Sequence, residues 1–335
     1  MAAVPYKPYQ PGKNGRKITL LALAAAIIIV AGIFVARAFL KDQPATDENN
    51  GTFPQQQPLM PPTFSEPVNE PVRIKPEPNS TALSDETAKL ISQAKADIAA
   101  GELIKARDGL SDALSMLTNK PEAQDVKAIM AELSQNWLFS KEVAQGDSLC
   151  TVYEVKPGDL LQKICTAHKV PYELIMELND IQKASSLRAG QKIKMVNGPF
   201  HCFISRSAFT MDLYLQNTYV RTYKVGLGTE GRETPTGIWR VAPTGKMVKP
   251  PWTDPDTGKY YASDAPDYPL GARWIALDGI GGSAVGRTGF AIHGTNEPQT
   301  IGTKSSRGCI RLHDGDVIQV YKLLVPVHSE VRVVD

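Results

Sequence analysis

The chain is short of cysteine. It has four in 335 residues, and no two form a CxxC pair. That excludes the paired-thiolate spacing of a structural zinc site and the dense disulfide framework of small secreted scaffolds. No metal or other cofactor is implied. An excess of charge is also missing. The net charge is +2 and the isoelectric point about 8.2, so the chain has no basic field for a nucleic-acid partner. Charge is wholly absent from residues 18–36, ITLLALAAAIIIVAGIFVA. As a helix this run spans about 28 Å, close to the roughly 30 Å hydrocarbon core of a bilayer. Lys7, Lys13, Arg16 and Lys17 precede it, whereas Arg37 and Lys41 beyond it are soon offset by Asp42, Asp47 and Glu48. The positive-inside rule then makes residues 1–17 a cytoplasmic tail, residues 18–40 a single-pass membrane anchor, and all that follows extracytoplasmic, in the periplasm or cell wall. Ala36, Arg37 and Ala38 have the A-x-A form of a signal cleavage site, but the apolar run exceeds an h-region of about 7–15 residues. The expectation is an uncleaved anchor, and both readings export the rest of the chain.

The length suits two or three domains. Residues 41–80 are not one of them. Prolines at 44, 54, 58, 61, 62, 67, 71, 76 and 78 recur among Gln, Asn, Glu and Thr. Such a segment buries too little apolar surface to offset its chain entropy. It reads as an extended, disordered linker reaching on the order of 100 Å. In residues 81–145 the period changes to 3.6. Leu90, Ile91, Ala94 and Ile98, then Leu103, Ala106, Leu110, Ala113, Leu114 and Leu117, mark two helices separated by Gly101. Pro121 suits the first turn of a third helix that runs to about Phe139. The stretch AAGELIKARDGLSDAL weakly resembles one tetratricopeptide-type helical hairpin. It is either a helical spacer or a surface for a protein partner.

Residues 150–197 predict a βααβ unit. A strand at 152–155 is followed by the turn Lys156-Pro157-Gly158-Asp159, with Asp159 placed to cap a helix carrying Leu160, Leu161 and Ile164. A second helix spans about 171–178, and a closing strand covers 192–196. The sequence Y-x-V-K-x-G-D-x-L, the expanded L-x-x-x-N around Leu174 to Asn179, and L-x-A-G-Q-x-I resemble the LysM domain. That resemblance implies binding to N-acetylglucosamine-containing glycan strands such as peptidoglycan. Cys165 reads as core or as a partner of Cys150.

Residues 199–335 read as mainly β. MDLYLQNTYVRTYKVGLG alternates about Gln216 and Asn217, which predicts a hairpin. Further strands are expected at 237–241, 274–277, 290–293 and 331–334, in a sandwich or barrel-like sheet. Near the end comes GFAIHGTNEPQTIGTKSSRGCIRLHDGDV. A free thiol, with a pKa of about 8.5, is only a few per cent thiolate at neutral pH and needs a base beside it. His293 closes a strand and Cys309 follows a long loop, so His293 is the candidate base and Cys309 the candidate nucleophile. Gly308 permits a tight turn and, with Ser306, backbone N–H groups for an oxyanion hole. The Gly294 carbonyl is expected to fix the His293 tautomer. Arg311, two residues beyond Cys309 on an extended segment, and Arg307 are expected to bind an anionic substrate group. Trp252, Tyr260 and Trp274 belong to a cleft wall or to the core. Residues His313 to Asp316 look like the cap of a helix at 317–324.

His293 followed by Ser306, Arg307, Gly308, Cys309, Ile310 and Arg311 resembles the L,D-transpeptidase (YkuD-like) catalytic domain. Gly226-Leu227-Gly228, Thr234-Pro235-Thr236-Gly237 and Gly271-Ala272-Arg273-Trp274 extend the likeness upstream. Many members carry a second His between the Ser and the Gly, where this chain has Arg307. The resemblance implies that Cys309 attacks a peptidoglycan tetrapeptide stem, releases D-Ala and passes the acyl group to an amine, forming a 3→3 cross-link. Water as acceptor gives instead an L,D-carboxypeptidase or a cross-link hydrolase. A non-catalytic LysM wall-binding protein is the remaining alternative. The fold class expected is thus multidomain: one N-terminal transmembrane helix, a small α-helical segment, a βααβ LysM module and a mainly-β L,D-transpeptidase domain.

Overall fold

The computed structural model describes residues 84–335 apart from Asn119. The expected cytoplasmic tail (1–17), membrane anchor (18–40) and Pro-rich linker (41–80) lie outside the described residues. Among the described residues no helix is long and apolar enough to cross a membrane.

Three helices come first: α1 (Asp85–Ala99), α2 (Leu103–Met116) and α3 (Ala123–Trp137). Ser84 caps α1 by accepting from the Thr87 N–H at 3.3 Å, and Asp85 and Glu86 oppose the positive end of its dipole. Pro121 falls in a turn before α3, so that helix starts two residues beyond the position its proline suggested, and it closes at Trp137.

The βααβ unit comprises β1 (Cys150–Glu154), α4 (Leu161–Ala167), α5 (Tyr172–Leu178) and β2 (Lys192–Val196). The two strands are antiparallel, pairing Cys150 with Val196 and Glu154 with Lys192. Asp159 does not cap α4. Its carboxylate accepts instead from the Lys156 N–H and the Tyr153 hydroxyl, each at 2.8 Å, which closes the turn and leaves Leu160 at the N-cap without a side-chain bond. Asn179 staples α5 to β2: its amide donates to the carbonyls of Ile175 and Lys194 and accepts from the Lys194 N–H. Cys150 and Cys165 are buried and free rather than paired, and burial pushes both thiols up to about 12.

The remaining elements are β3 (Phe200–Ser205), β4 (Thr210–Leu215), β5 (Thr218–Lys224), β6 (Leu227–Gly228), β7 (Gly237–Met247), β8 (Trp252–Thr253), β9 (Tyr260–Tyr261), β10 (Trp274–Gly281), β11 (Phe290–His293), β12 (Lys304–Ser306), β13 (Ile310–Arg311), α6 (Asp314–Tyr321) and β14 (Glu330–Val334). Eight of them form one sheet in the order β13-β11-β10-β7-β14-β3-β4-β5. Alternate residues point into its core, among them Met211, Leu213, Leu215, Trp239, Val241, Ile275, Leu277, Val331 and Val333, all buried. The sheet curls until its two edges meet. Gly226, just past β5, donates to the Arg311 carbonyl at 2.9 Å and accepts from the Arg311 N–H at 2.8 Å. The sandwich expected as one option is therefore absent among the described residues, and the barrel-like option is realised by a single closing bridge.

Two arrangements depart from expectation. Helix α6 begins at Asp314, not at residue 317, and the His313 side chain makes no capping bond. The Asp314 carboxylate reaches out of the helix to accept from the Ala272 N–H at 3.1 Å and the Thr295 N–H at 3.3 Å. Helix α3 is not a free spacer either. It lies against β5, and Lys127 reaches Asp212 of β4 at 2.5 Å, so helices cover the outer hairpin of the sheet.

Candidate active site

The site grows out of the pairing of β11 with β13. These strands are parallel, with Ile292 opposite Ile310 and His293 opposite Arg311. Ile292 and Ile310 turn into the core, where both are buried. Their neighbours must therefore turn the other way, which brings Cys309, Arg311 and His293 to one face. That face is the floor of a cleft of about 600 Å³, walled by Trp252, Tyr261, Trp274, Leu270 and Glu297 among others. Of the aromatic candidates, Trp252 and Trp274 line this cleft. Tyr260 does not; its neighbour Tyr261 does, stacked on Trp252 with ring centres 5.9 Å apart.

His293 is 3% exposed. Its Nδ1 lies 2.6 Å from the Gly294 carbonyl. A carbonyl only accepts, so Nδ1 carries the proton and Nε2 is left with its lone pair. The Trp274 ring stacks on the imidazole at 5.4 Å and 22°. Burial drives the His293 pKa down to about 4, helped by Arg311 and opposed by the Gly294 and Leu270 carbonyls. Burial also pushes the Cys309 thiol above its ordinary value, against the opposing pull of the Ala291 N–H, Arg311 and Arg307. The resting pair is thus a neutral thiol and a neutral imidazole. Such a site releases a thiolate when the proton moves to Nε2 rather than storing an ion pair.

Two hydroxyls hold the turn that carries Cys309. The Ser306 hydroxyl accepts from the Gly308 N–H at 3.1 Å and donates to the Cys309 carbonyl at 2.6 Å. The Thr234 hydroxyl donates to the Gly308 carbonyl at 2.8 Å. Gly308 has φ of +110°, and a Cβ there would lie 2.7 Å from the Phe290 ring, so only glycine fits. These bonds correct the sequence-based assignment of Gly308. Its N–H is bonded to Ser306 and does not stand free as an oxyanion donor.

Arg307 also departs from expectation. Instead of offering a bare cation to substrate, its guanidinium donates to both oxygens of Asp254 at 3.0 Å and to Asp256 at 2.6 Å. Arg232 joins Asp256 from the other side at 2.8 Å. Arg307 therefore ties the β8–β9 hairpin to the turn that carries Cys309. Against the opposing effect of burial, the Asp256 and Thr257 N–H groups and then Arg307 hold the Asp254 carboxyl below its ordinary value, and Arg232 and then Arg307 do the same for Asp256. Arg311 keeps a weaker hold, on Glu297 at 3.2 Å, and its buried Nε has no partner. Asp254, Asp256 and Thr234 escaped the sequence reading of the site. Thr234 belongs to the Thr234-Pro235-Thr236-Gly237 stretch that resembles the family, whereas nothing local marks the two aspartates. Among the described residues no group of His, Cys, Asp and Glu is arranged to hold a metal ion.

A cysteine and a tautomer-fixed histidine at the floor of a cleft, with an arginine beside them, define a thiol-dependent acyl-transfer site. Comparison with known proteins is consistent with that class. The family model of the L,D-transpeptidase catalytic domain (YkuD) matches residues 199–333, and that of the LysM domain matches residues 153–195. A putative L,D-transpeptidase YkuD of Bacillus subtilis is 30% identical over 179 residues, covering 51% of this chain and 92% of that one. The probable L,D-transpeptidase ErfK/SrfK of Escherichia coli is 35% identical over 127 residues, covering 35% of this chain and 37% of that one. A solved L,D-transpeptidase from Mycobacterium tuberculosis is 17% identical with a TM-score of 0.32, covering 44% of this chain and 63% of that one. The chain belongs to the L,D-transpeptidase family and carries a LysM domain.

The burial of His293 has a consequence for stability. Its folded pKa of about 4 lies below the ordinary 6.5. Between those values the unfolded chain binds a proton that the folded chain does not, so stability falls as the pH drops from 6.5 towards 4. At about 1.4 kcal/mol per unit this contribution reaches about 3 kcal/mol and is complete below pH 4. In urea titrations, the stability of the parent chain relative to His293→Gln is expected to decline by about 3 kcal/mol between pH 7 and pH 4. A difference that stays constant over that range rejects the assignment.

Proposed function

We propose that this protein is a membrane-anchored peptidoglycan L,D-transpeptidase that forms a thioester at Cys309. The observation that carries the reading is the shared face of Cys309, His293 and Arg311 within one cleft. Nε2 of His293 takes the thiol proton. The sulfur adds to the carbonyl carbon at the L-centre of the stem's diamino acid, and the C=O pair moves to oxygen. Collapse expels the D-Ala amine, which takes the proton from the imidazolium, and leaves the acyl group on sulfur. An amine of a neighbouring stem then adds to the thioester carbon and gives a proton to Nε2 of His293; collapse breaks the C–S bond, the sulfur takes that proton back, and the new amide completes a 3→3 cross-link. Arg311, which lines the cleft beside Cys309, is suited to a stem carboxylate. The LysM module supports a hold on glycan strands, and the charge-free run at 18–36 supports a single-pass anchor that leaves both modules outside the cytoplasm.

The test uses the full-length chain in detergent with purified tetrapeptide muropeptides, read by mass spectrometry. The expected product is a cross-linked dimer that has lost one D-Ala. Tripeptide alone identifies water as the acceptor and replaces the transpeptidase reading by a carboxypeptidase. No acyl-enzyme and no D-Ala, with glycan binding retained, leaves a wall-binding protein.

A further inference from the structure

Thr234 is none of the reacting groups, yet it is 2% exposed and its hydroxyl is bonded to backbone on both sides. It accepts from the Gly228 N–H at 3.1 Å and donates to the Gly308 carbonyl at 2.8 Å. That carbonyl belongs to the same peptide unit as the Cys309 N–H. In a trans peptide the C=O and N–H point in opposite directions within one rigid plane. Holding the oxygen therefore aims the hydrogen, away from buried Thr234. Ser306 fixes the next unit through the Cys309 carbonyl, so both peptide planes flanking the nucleophile are set by hydroxyls. The Gly308 N–H is occupied by Ser306. By contrast, none of the hydrogen bonds among the described residues is donated by the Cys309 N–H. A nucleophile's own N–H is well situated to meet the oxygen of the carbon it attacks.

We infer that Thr234 is a positioning residue that aims the Cys309 N–H at the oxyanion formed during acyl transfer. This rests on the thioester chemistry proposed above. The Thr234 hydroxyl neither touches substrate nor moves a proton. It acts through the rigid peptide between Gly308 and Cys309, and Gly228 holds the hydroxyl from behind.

The test compares full-length Thr234→Val and Thr234→Ser with the parent chain. Valine keeps the branched shape and loses the hydroxyl; serine keeps the hydroxyl. Losing one oxyanion donor lowers kcat about 10²–10³-fold, and misaiming one is expected to cost on the order of 10- to 100-fold. Thr234→Val should show that loss in kcat with KM changed less than about threefold, and Thr234→Ser should stay within about threefold of the parent. Alkylation of Cys309 by iodoacetamide, a displacement at carbon that develops no oxyanion, should stay within about twofold in both variants. Parent-like kcat in Thr234→Val overturns the inference, as does alkylation falling in step with acyl transfer, which would mark collapse of the turn. A parent chain that forms no thioester overturns this inference and the proposed function together; a parent that turns over normally confines the failure to Thr234.

Discussion

Cys309→Ala is expected to abolish thioester formation and to lower turnover of tetrapeptide stems by at least about 10⁴-fold, the scale on which removal of a covalent nucleophile operates. Cys309 lines the cleft on the face shared with His293, while the other three cysteines are buried and play no part in it. Burial, reinforced by a nearby carboxylate in each case, pushes Cys202 up strongly and Cys150 and Cys165 up to about 12, so none offers a competing thiolate. Intact-mass analysis after incubation with muropeptide should show an acyl adduct on the parent chain and none on the variant. Because the alanine removes one sulfur from the cleft floor and adds nothing to it, the fold and glycan binding of the variant should match those of the parent chain. An adduct that persists on Cys309→Ala sinks the assignment of the nucleophile.

Lys194→Met is expected to cost about 3–5 kcal/mol of stability, on a scale of about 1–3 kcal/mol for each buried acceptor left unsatisfied. Lys194 lies on β2 but belongs energetically to α3. Its buried ammonium donates to the carbonyls of Trp137, Ser140 and Glu142 at 2.7, 2.9 and 2.8 Å. Those carbonyls belong to the end of α3 and the chain just beyond it, groups that no helical N–H reaches. Methionine matches the length of the lysine stem, so packing is largely kept and the loss reports the hydrogen bonds. Urea denaturation gives the magnitude. Limited proteolysis should also cut first near residues 137–142, where the freed carbonyls lie. A cost below about 1 kcal/mol shows that water satisfies the three carbonyls and removes the lysine as the link between these modules.

The sequence was most legible where structure follows from short-range pattern. The closing strand of the βααβ unit at 192–196 and the strand at 290–293 were placed to the residue, because alternation and flanking turns mark a strand without reference to anything distant. The hairpin about Gln216 and Asn217 was equally local. Cys309 and His293 were legible because their chemistry demands a partner and the chain offers few histidines. Capping departs from the sequence pattern twice, at Asp159 and at residues 313–316. In both cases a carboxylate suited to a helix end found N–H groups elsewhere: Asp159 in its own turn, Asp314 on two distant loops.

Sequence by itself determined the LysM and L,D-transpeptidase modules and pointed to the candidate nucleophile with its base. Each of these depends on residues within a window of some twenty positions or on a motif whose spacing is part of the chemistry. Tertiary structure decided how those residues are used. It bonded the Gly308 N–H to Ser306, gave Arg307 to Asp254 and Asp256, and closed the sheet through Gly226 and Arg311. It also turned Lys194 from an ordinary strand residue into a clamp on α3. The reason is that each hydrogen-bonding group in a folded chain takes the nearest complementary partner in space, and which partner is nearest is set by strand order and crossing connections that no local pattern encodes.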